Sequence, residues 1–175
     1  MPRKLHIGGK EKSPDWEILN ANPGPDVDHV CNAIDLSIFE NDTFTEVYAS
    51  HVLEHFDYID DVSSALNEWR RVLKPGGKIY IGVPDLDALA EMLCQKEKYS
   101  LSDRFGIMRM IYGGHVDKYD FHYTGFNLEI LSAFMMETGF SGIERVANFG
   151  LFKDTSSMVF KGQPISLNVI ATKSS

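Results

Sequence analysis

Val47-Tyr-Ala-Ser-His-Val-Leu-Glu-His55, followed after one amphipathic segment by Glu68-Trp-Arg-Arg-Val-Leu-Lys-Pro-Gly-Gly-Lys-Ile-Tyr-Ile-Gly-Val-Pro84, is the stretch whose reading decides the fold. Val47 to Ala49 and Ile79 to Val83 are short, nearly continuous apolar runs, the pattern of parallel strands buried on both faces. Between them Ile59, Val62, Leu66, Trp69 and Leu73 recur at three- and four-residue steps and predict a helix with one apolar stripe. Asp57, Asp60 and Asp61 suit its positive end, and Arg70, Arg71 and Lys74 its negative end. Pro75 with Gly76 or Gly77 is expected to stop it. Strand, helix and strand make one right-handed crossover unit. In such sheets ligands bind beyond the carboxyl ends of the strands, so Ser50 to His55 and Pro84 to Asp87 should border a site.

The rest of the 175 residues is compatible with one domain, residues 1–175, and a substantial core. With 43% hydrophobic and 24% charged residues the composition is that of a globular protein, and no apolar run approaches the ~20 residues of a membrane span. Met1-Pro-Arg-Lys4 leads into only Leu5-His-Ile7, too short for a secretory core. Cys31 and Cys94 lack metal-ligand spacing and read as free thiols, so the cytoplasm is the expected compartment. A net charge of -8 argues against nucleic acid, because the basic runs Lys10-Glu-Lys12 and Arg70-Arg71 are brief.

Along the chain, Leu5 to Ile7 reads as a first strand ending at Gly8-Gly9. Lys10 to Asp15 is too short for an ordinary helix, and Pro14 restricts what precedes it, so the first crossover helix is expected to be missing. Glu17 to Asn20 and His29 to Ala33 are further strands, separated by the turn residues Asn22-Pro-Gly-Pro25. Helical spacing follows in Leu86 to Lys96, in Leu101 to Tyr112 and in Asn127 to Thr138, where Asn127 can cap and Gly139 can terminate. Gly113 to Gly125 is too polar for an element and too aromatic for an idle linker, and is read as a functional loop. Ile143 to Phe149 and Ile165 to Thr172 are late strands with no helix between them, so they should pair antiparallel.

These residues resemble the Rossmann-like, class I S-adenosylmethionine-dependent methyltransferases, especially small bacterial ones. The resemblance rests on Leu5-His-Ile-Gly-Gly9, Tyr48-Ala-Ser-His-Val-Leu-Glu-His55, Arg71-Val-Leu-Lys-Pro-Gly-Gly77 and Gly139-Phe140. It implies an α/β, doubly wound, mostly parallel seven-stranded sheet with an antiparallel last strand. It also implies S-adenosylmethionine as cofactor, held by Gly8, Gly9, Lys10, Asn20, Asn32, Ala33, Ser50 and His51. Lys10 stands where the family usually has a third glycine, and Asn20 and Asn32 where it usually has carboxylates. The ribose and adenine contacts are then neutral, each about half the strength of a charge-assisted bond. Lys10 or Lys12 is expected to pair with the cofactor carboxylate instead.

The implied reaction is methyl transfer to a small acceptor, for which a hydroxyl of a sugar or polysaccharide precursor is the expected group. His55, His115 and His122 are candidate bases, and Asp85, after a strand end, a candidate substrate residue. In the loop, His115, Asp117, Asp120 and His122 bring histidines and carboxylates together. A second reading is a degenerate relative that keeps the fold as a binding or partner subunit. His51-Val-Leu-Glu54-His55 also matches the H-x-x-E-H zinc-hydrolase pattern, but that pattern needs a helix where a buried strand ends, so no metal is expected. The missing helix should leave one sheet face thinly covered, which predicts a homodimer.

Overall fold

The computed structural model describes residues 2–174, so Met1, the first residue of the stretch weighed as a secretory leader, lies outside it. Seven strands form one sheet: β1 (Lys4–Ile7), β2 (Trp16–Asn20), β3 (His29–Val30), β4 (Phe44–Ser50), β5 (Leu73–Pro84), β6 (Phe140–Val146) and β7 (Ser166–Lys173). Their order is β3-β2-β1-β4-β5-β7-β6. β1 to β5 pair parallel, while β7 runs antiparallel between β5 and β6, as the late pair in the sequence predicts. No helix links β1 to β2: residues 8–15 form the expected loop, closed by Trp16 N–H donating to the Ser13 carbonyl.

The helices are α1 (Asp61–Val72), α2 (Leu86–Cys94), α3 (Leu101–Tyr112) and α4 (Leu128–Glu137). Asn127 caps α4 by accepting from Ile130 N at 2.9 Å, and Ser100 with Asp103 forms a capping box on α3. Two expectations for α1 need correction. Ile59, placed in its stripe, precedes the helix and is 71% exposed, and Leu73 is already the first residue of β5. The helix stops at Val72 without a left-handed cap, because Leu73 is drawn into the sheet opposite Phe44 and Lys74, preceding Pro75, disfavours helical backbone. The strand expected over His29 to Ala33 ends at Val30, where Asn32 accepts from Ile34 N and turns the chain.

Alternation along the strands divides the sheet into two unlike faces. On one, Leu5, Val47, Ile79, Ile81 and Val169 pack with Leu66, Trp69 and Val72 of α1 and Leu131 and Met135 of α4 in the main core. On the other, among the described residues, the cover is a strap, residues 147–158, whose one regular piece is the short 3₁₀ helix Thr155–Ser157. Phe152 of the strap packs on His6, Tyr48 and Trp16, and Phe149 packs on Tyr48 and Tyr80. Towards the amino ends of the parallel strands the same face is polar: Lys4 pairs with Glu46 at 2.8 Å, and Tyr80 donates to Glu46 at 3.0 Å. The expected exposed apolar face is therefore corrected, since strap aromatics roof one half and a charged ladder occupies the other.

Candidate active site

The carboxyl ends of β1 to β4 and the loop 113–125 enclose a cleft of about 520 Å³. Gly8 and Lys10 follow β1, Asn20 ends β2, Asn32 and Ala33 follow β3, and His51 and His55 follow β4; all seven line the cleft. Asp117, Tyr119, Asp120 and Tyr123 close it from the loop side. The crossover that made the fold legible thus supplies one wall, and a distant loop supplies the lid.

Gly8 has φ +80°, and a Cβ there would meet Val52 Cγ2 at 2.5 Å, so only glycine lets the chain turn this close to the segment after β4. Asn20 braces that turn. Its Nδ2 donates to Gly8 O at 3.3 Å and Gly9 O at 2.9 Å, and its Oδ1 accepts from Asn22 N at 2.9 Å. Asn32 Oδ1 is engaged by Ile34 N, whereas the Ala33 carbonyl accepts from Trp69 Nε1 at 2.8 Å, tying this wall to α1.

Five of the expected site residues are not among the cleft-lining residues, and one of them, His122, stands behind the wall beside Glu54. Gly9 is pressed on the strap side, where a Cβ would meet His6 at 2.9 Å. Ser50 alternates onto the same face, its hydroxyl buried without a hydrogen-bond partner. The Asp85 carboxylate accepts from Ala88 N as the cap of α2 and pairs with Arg145 at 2.7 Å. His115 turns back on its own helix end, with Nε2 at 2.8 Å from Tyr112 O and its ring stacked on Phe121.

Beside the cleft lies a buried acid among histidines. Glu54 sits in the short 3₁₀ turn Leu53–His55, 1% exposed, and neither carboxylate oxygen has a hydrogen-bond partner. His51 Nδ1 lies 3.2 Å from Glu54 Oε1, ion-pair distance but off the line of a hydrogen bond. His51 Nε2 meets Ser166 Oγ at 2.8 Å, and that hydroxyl donates to Thr155 O, so Nε2 carries the proton. His122 Nε2 approaches Glu54 Oε1 at 3.9 Å, and its ring is 4.8 Å from that of His55. Burial pushes the Glu54 carboxyl up, but the interactions with His51, His55 and His122 outweigh it and hold the group below its usual value. Burial, only partly offset by Glu54, pulls the His122 imidazole down.

The loop is held over this group by its backbone. Tyr123 N and Thr124 N both donate to the Glu54 carbonyl, at 2.8 and 3.2 Å, and Thr124 Oγ1 donates to Phe56 O at 2.7 Å. Gly113, φ +89°, allows the return, since a Cβ there would meet Asp120 O at 2.4 Å. The helix that the H-x-x-E-H pattern needs is not formed, as the strand-end reading expects: His51 has φ +54° at a strand end, so the pair does not lie on one helical turn. Asp117 and Asp120, weighed with the loop histidines, do line the cleft, whereas Tyr119 and Tyr123 were not singled out, although the aromatic character of their loop was the available signal.

A sequence family described as "Methyltransferase domain" matches residues 13–81. A SAM-dependent methyltransferase from Archaeoglobus fulgidus superposes with a TM-score of 0.65 at 17% identity, over 98% of this chain and 86% of its own. The CurJ carbon methyltransferase superposes at 0.60 and 15% identity over 99% of this chain, which spans 49% of CurJ. The chain has the fold of the class I, Rossmann-like methyltransferases. A Burkholderia thailandensis 1,6-didemethyltoxoflavin-N1-methyltransferase, solved with that compound and S-adenosylhomocysteine, superposes at 0.60 and 14% identity, over 99% of this chain and 72% of its own. No curated protein matches the sequence.

S-adenosylmethionine is the cofactor that goes with this methyltransferase fold, and the cleft can be tested for it. The volume falls within the ~300–1,000 Å³ usual for small-molecule sites. The Gly8 turn leaves open backbone where a side chain would intrude, and Asn32 and Lys10 present polar groups on the same wall. Shape therefore fits, while the Asn20 amide must leave the glycine turn before it can contact a ligand.

Proposed function

We propose that this chain binds S-adenosylmethionine against Gly8, Lys10, Asn20, Asn32 and Ala33 and transfers its methyl group to a small acceptor held beneath the loop 113–125. The observation that carries the reading is the single cleft joining the glycine turn after β1 to the His51–His55 segment after β4. The cofactor supplies an already activated methyl group, so the protein's work is chiefly alignment of the acceptor. Tyr119 and Tyr123 offer flat aromatic faces to a ring-shaped acceptor, which supports a sugar or related metabolite. Handling of the acceptor oxygen is assigned to His55 at the cleft wall, with Glu54 and His122 behind it. Among the cofactor candidates, Gly9 and Ser50 are assigned a supporting role only.

Two unpaired thiols, Cys31 and Cys94, support a reducing, cytoplasmic setting, and no helix among the described residues is long and apolar enough to cross a membrane. We also propose self-association as a homodimer, supported by exposed Tyr58, Ile59, Tyr112 and Val116; a monomer mass in light scattering at micromolar concentration ends that part. The closed Asn20–glycine contact favours a second reading, a non-catalytic binding subunit. Calorimetry separates the two. Saturable micromolar binding of S-adenosylmethionine or S-adenosylhomocysteine supports the enzyme, and no binding of either at millimolar concentration sinks it.

A further inference from the structure

Glu54 is the least explained group in the molecule. A carboxylate that is 1% exposed, with Oε2 unpartnered and Oε1 met only obliquely by His51, lacks the hydrogen bonds that a buried charge ordinarily requires. His122 presents a second orphan, its Nδ1 buried and without a partner. His55 completes the set. Its Nδ1 lies 3.0 Å from the Phe121 carbonyl, so Nδ1 carries the proton and the Nε2 lone pair is free. A histidine oriented by donating one ring nitrogen to a backbone carbonyl is the usual posture of a metal ligand.

We infer that Glu54, His55 and His122 form a binding site for a divalent transition-metal cation bordering the cofactor cleft. One ligand atom from each lies within 4.8 Å of the other two. Ligands about 2.1 Å from zinc stand roughly 3.4 Å apart, so the triad contracts by about an ångström on binding. Two imidazoles and one carboxylate suit zinc or manganese and leave coordination positions open, the arrangement of a reactive rather than a structural site. Because His55 lines the cleft, an ion here stands where an acceptor hydroxyl can join its coordination sphere, with the proton released to water. His51, fixed by Ser166 on its far side, borders the carboxylate at 3.2 Å without ligating. Only the role of the ion rests on the proposed methyl transfer; its binding does not.

The test is calorimetric titration of the chelator-treated full chain with zinc chloride and with manganese chloride. Wild type should bind one equivalent of at least one ion at micromolar affinity or tighter. Glu54→Gln and His122→Ala should each weaken it at least about tenfold. His115→Ala, in a histidine outside the triad, should leave it unchanged. Should Glu54→Gln fail to fold by circular dichroism, His122→Ala and His55→Ala carry the comparison. Absence of saturable binding, or equal binding by wild type and the triad variants, overturns the inference. S-adenosylmethionine binding measured in chelator is read separately, so that loss of metal binding with retained cofactor binding refutes the metal site alone.

Discussion

His6 carries the clearest pH signature of any single side chain. It is wedged between Tyr48 and Phe152, and burial, partly offset by the Asp154 charge, lowers its imidazole from 6.5 to about 4. The folded state thus holds it neutral while the unfolded chain takes up a proton. Stability is complete above about pH 6.5 and falls as the pH drops towards 4, by up to about 3 kcal/mol. Urea unfolding at pH 7.5 and 5 should show about 2 kcal/mol of that loss in wild type and less in His6→Phe. At Gly8, alanine would be forced into φ +80° against Val52, so Gly8→Ala should cost roughly 1–2 kcal/mol and weaken cofactor binding in calorimetry. Gly8 was readable in advance because it ends a short apolar strand. The roles of Asn20 and Asp85 were not, because each is decided by groups remote in sequence, the glycine carbonyls for one and Arg145 for the other.

Elements with local signals came out near their expected bounds. α3 spans Leu101–Tyr112 as its pattern required, and α4 begins after the Asn127 cap, where Asn127→Ala should cost about 1 kcal/mol in thermal or urea unfolding. The strap has no periodicity, and nothing local announces that it roofs a sheet. Its anchor is Tyr48, whose buried hydroxyl donates to Asp154 at 2.7 Å and lies 3.2 Å from Ser156 Oγ; burial drives the phenol well above its usual range. Tyr48→Phe should therefore cost about 1–3 kcal/mol and open the strap to limited proteolysis, with Asp154 and Ser156 still bonded to each other. Unchanged cleavage kinetics would mean that Phe149 and Phe152 alone hold it.

At the scale of the whole molecule, Trp69 couples core to cleft, fully buried on α1 with its indole N–H on the Ala33 carbonyl. Trp69→Ala should cost about 3–5 kcal/mol, a fall of roughly 10 °C in Tm by differential scanning calorimetry, and should weaken cofactor binding in proportion. The order of strands and helices, the late antiparallel pair and the positions of the strand ends were determined by the sequence itself, because apolar periodicity, caps and prolines act over a few residues. Tertiary structure alone decided that strap aromatics and a charged ladder share the second face, and that His51 is anchored on Ser166 while His122 arrives from a distant loop to join it beside Glu54. Those outcomes depend on which remote groups meet in a packed interior, where an unpaired buried charge is costly enough to organise its neighbours.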